Sequence, residues 1–490
     1  MIDISKSFNN KYLLVDVIAG TKYHSIMTNN FIESLRDSVG ENNVETIKFD
    51  VICFYENMFR NPKRFLISLC KLIFRIFKNL FYSNKKKKRY FLYFNPFILH
   101  LKDLREIFKL YTNKNINNNY SYLNIRLGDL INDCLQRFGW GDYYLLRGFS
   151  RLFLITFTFI ILRQCFYFAN KLSSQNILYL AAYTTYPNNG IPFRVMSSMN
   201  NCDCYSTASV NHTWLRFSRY TLFPFLDYFA MGNKLQNGNL YNLKEAQKIA
   251  ETGFSRRISG KEDSSLPYMR RSSFSKTKSI NGFDLENSSV IYLHDLVDAS
   301  HTYPKFIFSN MVEYVYFTVR ILIKNKKKFF IKLHPNESIS SKIMRKEIFD
   351  NLNLSKDFII PASTSNKDIL SSNINKIISA HGNIIIEAGY YGHFSIGATQ
   401  GCPACSFKNL LKLPKDKNDY ANLLLEKFEK KDKQKIIYES KLAYFLMFHS
   451  DYFLNDIDLV NTRRLYSEYV KKEIITKLPK YKFNFLECHS

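Results

Sequence analysis

The run SAHGNIIIEAGYYG, from Ser379 to Gly392, sets a histidine, a glycine and a carboxylate among isoleucines. A carboxylate in apolar surroundings is costly to bury without a partner. For Glu387 that partner is either a donor elsewhere in the protein or a bound ligand. Gly382 permits a tight turn or the close approach of a ligand. Asn383 is a good helix-capping type, so a helix is expected from about that point, with Ile384, Ile385, Ala388 and Tyr391 on its inner face. A helix that starts at the carboxyl edge of a parallel sheet offers unpaired N–H groups to an anion. Glu387, one turn in, is then placed to accept hydrogen bonds from a ribose diol, as acidic residues do in nucleotide sites. The plainer alternative is an ordinary helix in which Glu387 is favourable to the dipole.

The run IKLHPNES sets Lys332 and His334 two residues apart on a strand, and so on one face, just before Pro335. Two donors at the carboxyl end of a strand suit a phosphate; a half-exposed edge strand is the alternative. YLHDLVDASHTYP adds His294, Asp295, Asp298, His301 and Tyr303 in one loop. Its His and Asp content raises the question of a metal, but the spacing matches no zinc pattern and no metal ligand set is assigned. Nine cysteines, among them a lone CPAC (Cys402, Cys405) and a CDC (Cys202, Cys204), read as free thiols in a reducing compartment. Three such loops converging on one sheet edge suit a nucleotide better than a metal.

Elements must hold those loops. Ser289–Asp295, Lys328–Pro335 and Lys376–Ser379 read as strands, and Asn310–Asn325 as a helix with Val312, Val315, Val319 and Leu322 on one face. Strand, helix, strand, helix, strand is a Rossmann-like sheet. The tail from Tyr420 to Ile475 reads as helices. Earlier, a strand around Leu13–Val17 and a helix near Asn29–Arg36 open another α/β domain. His24 follows that strand, where a base could act, although a lone histidine is more often structural. Asn176–Tyr183 is a further strand; Pro187 to Gly190 mark a turn, and a helix is expected from near Pro192. Asn189, Gly190 and Arg194 therefore stand at a strand–loop–helix junction, where open α/β sheets place ligands.

At 490 residues the chain exceeds one ordinary core, and its 46% hydrophobic content fits a folded protein of two or three domains. Between Phe254 and Ser289 the composition turns to Ser, Lys and Arg. The division expected is 1–254, a linker over 255–289, a second domain over 290–430, and a helical tail over 431–490. The formal net charge of +27 favours acidic partners: membrane surfaces, nucleic acid or phosphorylated substrates. No zinc-finger spacing, RNP-like signature or basic zipper is present, so nucleic acid is not assigned. In Arg64–Arg89, polar positions Arg64, Ser68, Lys71, Arg75 and Lys78 recur at helical spacing in an apolar background, and a basic run closes the segment. Such a helix suits an anionic membrane interface, or equally a packed helix with one solvated face. Leu152–Leu162 is apolar but too short to span a bilayer, so a buried helix is expected there. The N-terminus lacks the order of a signal peptide. A cytoplasmic location is expected, peripheral on the inner membrane where residues 64–89 engage it.

Together, HDLVDASHTYP, IKLHPNE and SAHGNIIIEAGYYG resemble the carboxyl-terminal half of bacterial surface-polysaccharide (capsule and lipopolysaccharide) glycosyltransferases of the GT-B type, the group that includes the Kdo-type transferases. RRISGKEDSSLPYM and YPNNGIPFRV are similar to that family as well, so the resemblance covers most of Asn176–Cys405. It implies a GT-B-like α/β fold, two Rossmann-like lobes facing a cleft, with a nucleotide-sugar donor held mainly by the second. It implies Lys332 and His334 toward phosphate, Gly382 and Asn383 as backbone donors, and Glu387 on the sugar ring of the nucleotide. Asn189, Gly190, Arg194, His294, Asp295 and His301 would border the cleft, with Arg194 toward phosphate or an acidic acceptor; the resemblance does not identify the base, for which His24 is a candidate by position. The acceptor would be a growing or lipid-linked glycan. The donor is a substrate, and neither a metal nor another cofactor is expected. After Gly392 the run GHFSIGATQGCP departs from the family's usual Gly-x-Pro and β-branched pair. Two alternatives stay open: a CDP-polyol glycerophosphotransferase of the teichoic-acid type, and a degenerate GT-B scaffold in polysaccharide assembly.

Overall fold

The computed structural model describes residues 12–16, 44–49, 70, 89–92, 96–113, 115–139, 148–174, 176–181, 187–207, 213–217, 228–238, 241–260, 273–274, 280, 282–427, 432–448 and 484–487. The chain forms two compact units, Met1–Phe225 with Tyr469–Ser490, and Leu226–Glu468. Each is an α/β unit built on a mainly parallel sheet, as the strand and helix periodicities predict.

In the first unit the strands are β1 (Tyr12–Asp16), β2 (Val44–Phe49), β3 (Arg89–Leu92), the short hairpin β4 (Ser121–Tyr122) and β5 (Ile125–Arg126), β6 (Ile177–Ala181), β7 (Cys202–Thr207) and β8 (Thr213–Phe217). The main sheet runs β8–β7–β6–β1–β2–β3, with Asn484–Glu487 added beside β8. Every pairing is parallel except β7 with β8. The helices are α1 (Leu101–Thr112), α2 (Gly128–Gly139), α3 (Phe149–Lys171) and α4 (Pro187–Ser197). The turn expected at Pro187–Gly190 is the first turn of α4. Proline at the first helical position has its φ already set and no N–H to lose, so the helix starts there and not near Pro192.

The apolar run at Leu152–Leu162 is the middle of α3, which packs against α1, α2 and α4. Arg151–Lys171 is long and apolar enough to cross a membrane, yet 67% of its apolar window is buried inside the protein. Its flanking arginines both turn to partners inside the protein. Arg151 Nη2 donates to the carbonyls of Leu110 (3.1 Å) and Asn113 (2.5 Å). Arg163 grips Asp103 with Nε and Nη2, each at 2.8 Å. Asp103, fully buried, also accepts the His100 N–H and the Tyr122 hydroxyl, each at 2.7 Å. The buried helix expected from sequence is therefore present, and its charged ends are tied to its neighbours.

The second unit begins with α5 (Tyr228–Gln236) and α6 (Leu243–Ile258). Because α6 is continuous, no boundary falls at residue 254, and Arg257 belongs to a helix and not to a linker. Then follow β9 (Ser289–Tyr292), α7 (Met311–Lys324), β10 (Phe329–Lys332), α8 (Ile339–Asn351), β11 (Ile359–Ile360), α9 (Asn366–Leu370), β12 (Lys376–Ile378), α10 (Asn383–Tyr390), β13 (Ser395–Ile396), β14 (Leu411–Lys412), α11 (Lys417–Leu425) and α12 (Lys433–Phe448). The expected helical tail is helical over α12; the rest of it, to residue 483, lies outside the described residues, and 484–487 is a strand.

The second sheet is wholly parallel, in the order β11–β10–β9–β12–β13–β14. Both its faces are covered, as parallel sheets require. Ile291, Ile331 and Ile378 point into one core with Val315, Val319 and Tyr420. Val290, Tyr292, Phe330 and Ile377 point into the other with Ile384 and Ala388. The side chain of Asn310 caps α7 by accepting the Glu313 N–H at 2.9 Å.

Both tryptophans of the chain, Trp140 and Trp214, fall within the sequence range of the first unit. Asp103→Ala strands Arg163 and the Tyr122 hydroxyl. It is expected to destabilise the first unit by about 3 kcal/mol in a urea titration read by tryptophan emission. An unchanged midpoint would show that the Asp103–Arg163 pair does not hold α1 to α3.

Candidate functional site

In the second unit the chain lays β10 and β11 on one side of β9, then returns to place β12 on the other. Strand order reverses between β9 and β12, and the loops leaving their carboxyl ends diverge. Such a switch point is where open α/β sheets hold ligands. His294 follows β9, His334 follows β10, and Ser379, His381 and Gly382 follow β12. The three loops singled out by sequence do converge on this edge.

Their rings form a stack. Tyr303 lies on His381 with centroids 3.8 Å apart, and His381 lies on His294 at 4.0 Å. Nε2 of His294 is 3.0 Å from the Ser379 hydroxyl, which itself donates to the His381 carbonyl at 2.8 Å. Gly382 closes the stack. Its φ is +110°, and a Cβ there would stand 2.6 Å from Cε1 of His294. Glycine is thus required twice, for the backbone conformation and for the imidazole packed on it. Gly382 is also the N-cap of α10, which starts at Asn383; Asn383 is the first helical residue and not the cap. The start of this helix lies at the same edge, where the first N–H groups of a helix lack intrahelical acceptors.

The histidines are neutral near pH 7. Burial, with the nearby His334, lowers the pKa of His294 to about 3. Burial, with His294 and His334, holds His381 well below the usual range. Burial also lowers His334, with Lys332 acting the same way and Asp295 against it. Nδ1 of His334 accepts the Asn336 N–H at 3.2 Å, so the single proton of the neutral ring sits on Nε2. Nε2 of His381 is buried without a hydrogen-bond partner in the protein. Such orphaned polar atoms are uncommon and call for an explanation.

Other expected site residues have different employment. Lys332 ends β10 and is buried; Nζ donates to the carbonyls of Leu333 (3.2 Å) and Ala362 (3.0 Å), and burial lowers its pKa to about 8. It is still mostly charged at neutral pH, but it is held below the edge and contributes field more than contact. Asp295 accepts both the N–H (3.2 Å) and the hydroxyl (2.9 Å) of Ser338, the cap of α8, and so ties the β9 loop to that helix. His301 lies in a 3-10 turn, Ser300–Thr302, of the same loop.

Glu387 corrects the sequence reading. It is 4% exposed, and both its oxygens take protein donors. Nε and Nη2 of Arg257 reach Oε1 at 2.7 and 2.5 Å, and Nδ2 of Asn366 reaches Oε2 at 3.1 Å. Helix α10 is buried nearly all round, by the sheet on one side and by α12 on another, so position 387 points inward and not toward a ribose. Arg194 is corrected too. Its Nη1 and Nη2 pair with Asp129 at 2.7 and 3.1 Å, and Nη1 also donates to the Arg126 carbonyl at 2.6 Å. This buried arginine anchors α4 to α2 and is not free for a phosphate. Gly190 is buried within α4, and Asn189 lies in the same helix. His24 and the segment 64–88, apart from residue 70, lie outside the described residues.

Among the described residues, no three His, Cys, Asp or Glu side chains are grouped to hold a metal. The Cys402 thiol, beside the Gly382 N–H, is pushed up to about 12 by burial and is inert as a thiolate. Sequence reasoning missed Arg257 and Asn366 as the partners of Glu387, since each lies on another element. It also passed over His381, whose signal was its place immediately before the glycine.

No family model matches the chain, and no curated protein matches it. Solved structures similar to parts of it include KpsC of Thermosulfurimonas dismutans, a beta Kdo 2,4 transferase (11% identity, TM-score 0.32, covering 54% of this chain and 78% of that one). The UDP-GlcNAc 2-epimerase of Methanocaldococcus jannaschii with UDP-GlcNAc and UDP is another (14%, 0.28, 60% and 81%). UGT71G1 of Medicago truncatula with UDP-glucose is a third (11%, 0.28, 97% and 100%). Superpositions this loose do not bear on what the chain binds.

Two measurements probe the site without any ligand. Glu387→Ala leaves Arg257 buried and unpaired, and should cost about 3–5 kcal/mol in the unfolding of the second unit, followed by hydrogen exchange in α10. Equal protection in wild type and variant would contradict the ion pair. Acidification is the second. The folded pKa of His294 lies below its unfolded value, so its stabilising effect is complete above about pH 6.5. It is lost as pH falls toward 3, by up to about 1.4 kcal/mol per pH unit. Melting temperature should therefore drop between pH 7 and pH 4, and less steeply in His294→Gln.

Proposed function

We propose that the chain is a glycosyltransferase that takes a sugar from a nucleotide-sugar donor and adds it to a growing or lipid-linked glycan of a bacterial surface polysaccharide. The observation that supports this most is the meeting, at the switch point of a Rossmann-order sheet, of a helix start with His334 and the His294–His381 stack. Together these form a cluster of hydrogen-bond donors suited to phosphate oxygens. The motif resemblance to surface-polysaccharide glycosyltransferases points the same way.

Glycosyl transfer breaks the bond between the anomeric carbon and a phosphate oxygen and forms one to an acceptor hydroxyl oxygen. Negative charge builds on the departing phosphate. The first N–H groups of α10 and the Nε2–H of His334 are placed to stabilise it, with buried Lys332 adding positive potential from beneath. The orphaned Nε2 of His381 gains a partner when a polar ligand enters. Neutral imidazoles donate without a fixed charge, which favours release of the nucleotide product. We take the reaction as metal-independent on this donor set. His24 is retained as the base that accepts the acceptor's proton, and the enzyme is placed in the cytoplasm, peripheral to the inner membrane.

The test is a thermal-shift screen of the full chain with UDP-, GDP-, CMP- and CDP-linked sugars and with CDP-glycerol. One nucleotide-sugar class is expected to stabilise the protein, by about 2.7 kcal/mol at a hundred times its Kd. His334→Ala should keep its own melting temperature and lose the ligand shift. A response to CDP-glycerol alone would instead favour polyol-phosphate transfer. Silence with every compound would leave the scaffold reading.

A further inference from the structure

Helix α1 has three distinct faces. Asp103, Ile107 and Leu110 point inward and are buried. Leu101, Leu104 and Phe108, at helical spacing, form an apolar stripe that the protein leaves outside. Leu101 is 80% and Phe108 66% exposed, and Phe97, in the turn Pro96–Ile98 just before the helix, is 94% exposed. Lys102, Arg105 and Lys109 form a third, basic stripe beside the apolar one, each one residue further along and each exposed.

The charge on this helix is sorted. Asp103 turns inward and is held by Arg163; Glu106 is half-buried, accepts the Tyr120 hydroxyl at 2.8 Å and lies 3.6 Å from Nζ of Lys109 at the helix surface. Its bases turn outward. A soluble surface has no need of adjacent exposed Leu and Phe side chains in one row. An apolar row edged by cations is the form of a helix lying in an anionic lipid interface, with the rings and leucines in the acyl boundary and the lysine stems reaching headgroups. The buried ion pair beneath fixes α1 in the fold, so the stripe is presented rigidly. A second copy of the chain is a poorer occupant, because two basic stripes would be brought together and the whole chain already carries +27.

We infer that the outer face of α1, formed by Leu101, Leu104 and Phe108 with Lys102, Arg105 and Lys109, is a docking surface for anionic phospholipid membranes. It is independent of the donor-site reading and of residues 64–89.

The experiment is co-sedimentation of the full chain with vesicles of phosphatidylcholine with and without phosphatidylglycerol. The wild type should bind only the anionic vesicles. Leu101→Ser with Phe108→Ser, and separately Lys102→Glu with Arg105→Glu and Lys109→Glu, should each weaken binding roughly tenfold or more. Their circular dichroism and tryptophan emission should be unchanged, since all five residues are exposed. Full binding by either folded variant would overturn the inference, as would a wild type that ignores anionic vesicles. Neutralising Lys85–Lys88 is the comparison: binding lost there but kept in both α1 variants would place the membrane contact elsewhere. A dimer in gel filtration that the serine variant abolishes, with vesicle binding intact, would assign the stripe to self-association and overturn it equally.

Discussion

The second unit depends on β9 being enclosed between β10 and β12. Its strand, Ser289–Tyr292, is buried at every position because both faces are covered. With all neighbours parallel, every loop that leaves a carboxyl end emerges on one edge. The reversal of order beside β9 then sets the switch point of the sheet there. His294, His334 and the Ser379–Gly382 turn are brought together by this arrangement and not by closeness in sequence. Gly382 completes it, since any side chain would displace His294 and with it the start of α10.

The carboxylate among the isoleucines belongs to the same economy of buried charge. An unpaired Glu387 would be prohibitively costly beneath α12, and Arg257 at the end of α6 removes that cost while joining α6 to α10. The first unit uses the same device twice, in Asp103 with Arg163 and in Asp129 with Arg194. In all three pairs the arginine comes from a helix, and the bond ties that helix to another. Two charges that stand out as ligand-binding candidates in the sequence, Glu387 and Arg194, are in the structure joints between helices.

Much of the second unit is legible in its sequence. The strands at 289, 329 and 376, the helix after Asn310 and the glycine at the helix start all follow from periodicity and from the turn chemistry of single residues. The three loops and their shared edge follow from strand order. What periodicity cannot supply is the partner of a buried charge. Nothing local to Glu387 specifies an arginine 130 residues earlier, and nothing local to Arg194 specifies Asp129. The extent of α6 is hidden for a related reason: its last turn, Ser255–Ile258, is polar and basic like a linker, and only Arg257's buried contact with Glu387 shows why it stays helical.

The two kinds of positive charge in the chain therefore have separate duties. Those inside are held either by carboxylates, as Arg163, Arg194 and Arg257 are, or by backbone carbonyls, as Lys332 is, and the edge of the second sheet is furnished with neutral imidazoles, which donate without attracting anions from afar. The net +27 is thus not concentrated in the described part of the candidate donor site. Long-range attraction to an acidic surface falls to the exposed lysines and arginines, among them the row along α1. The proposed function and the proposed membrane surface therefore draw on different residues: the first on neutral donors at the sheet edge, the second on exposed cations. The same burial that keeps those imidazoles neutral makes the edge weaken in acid, so solubility and surface attraction persist under conditions in which the site itself loosens.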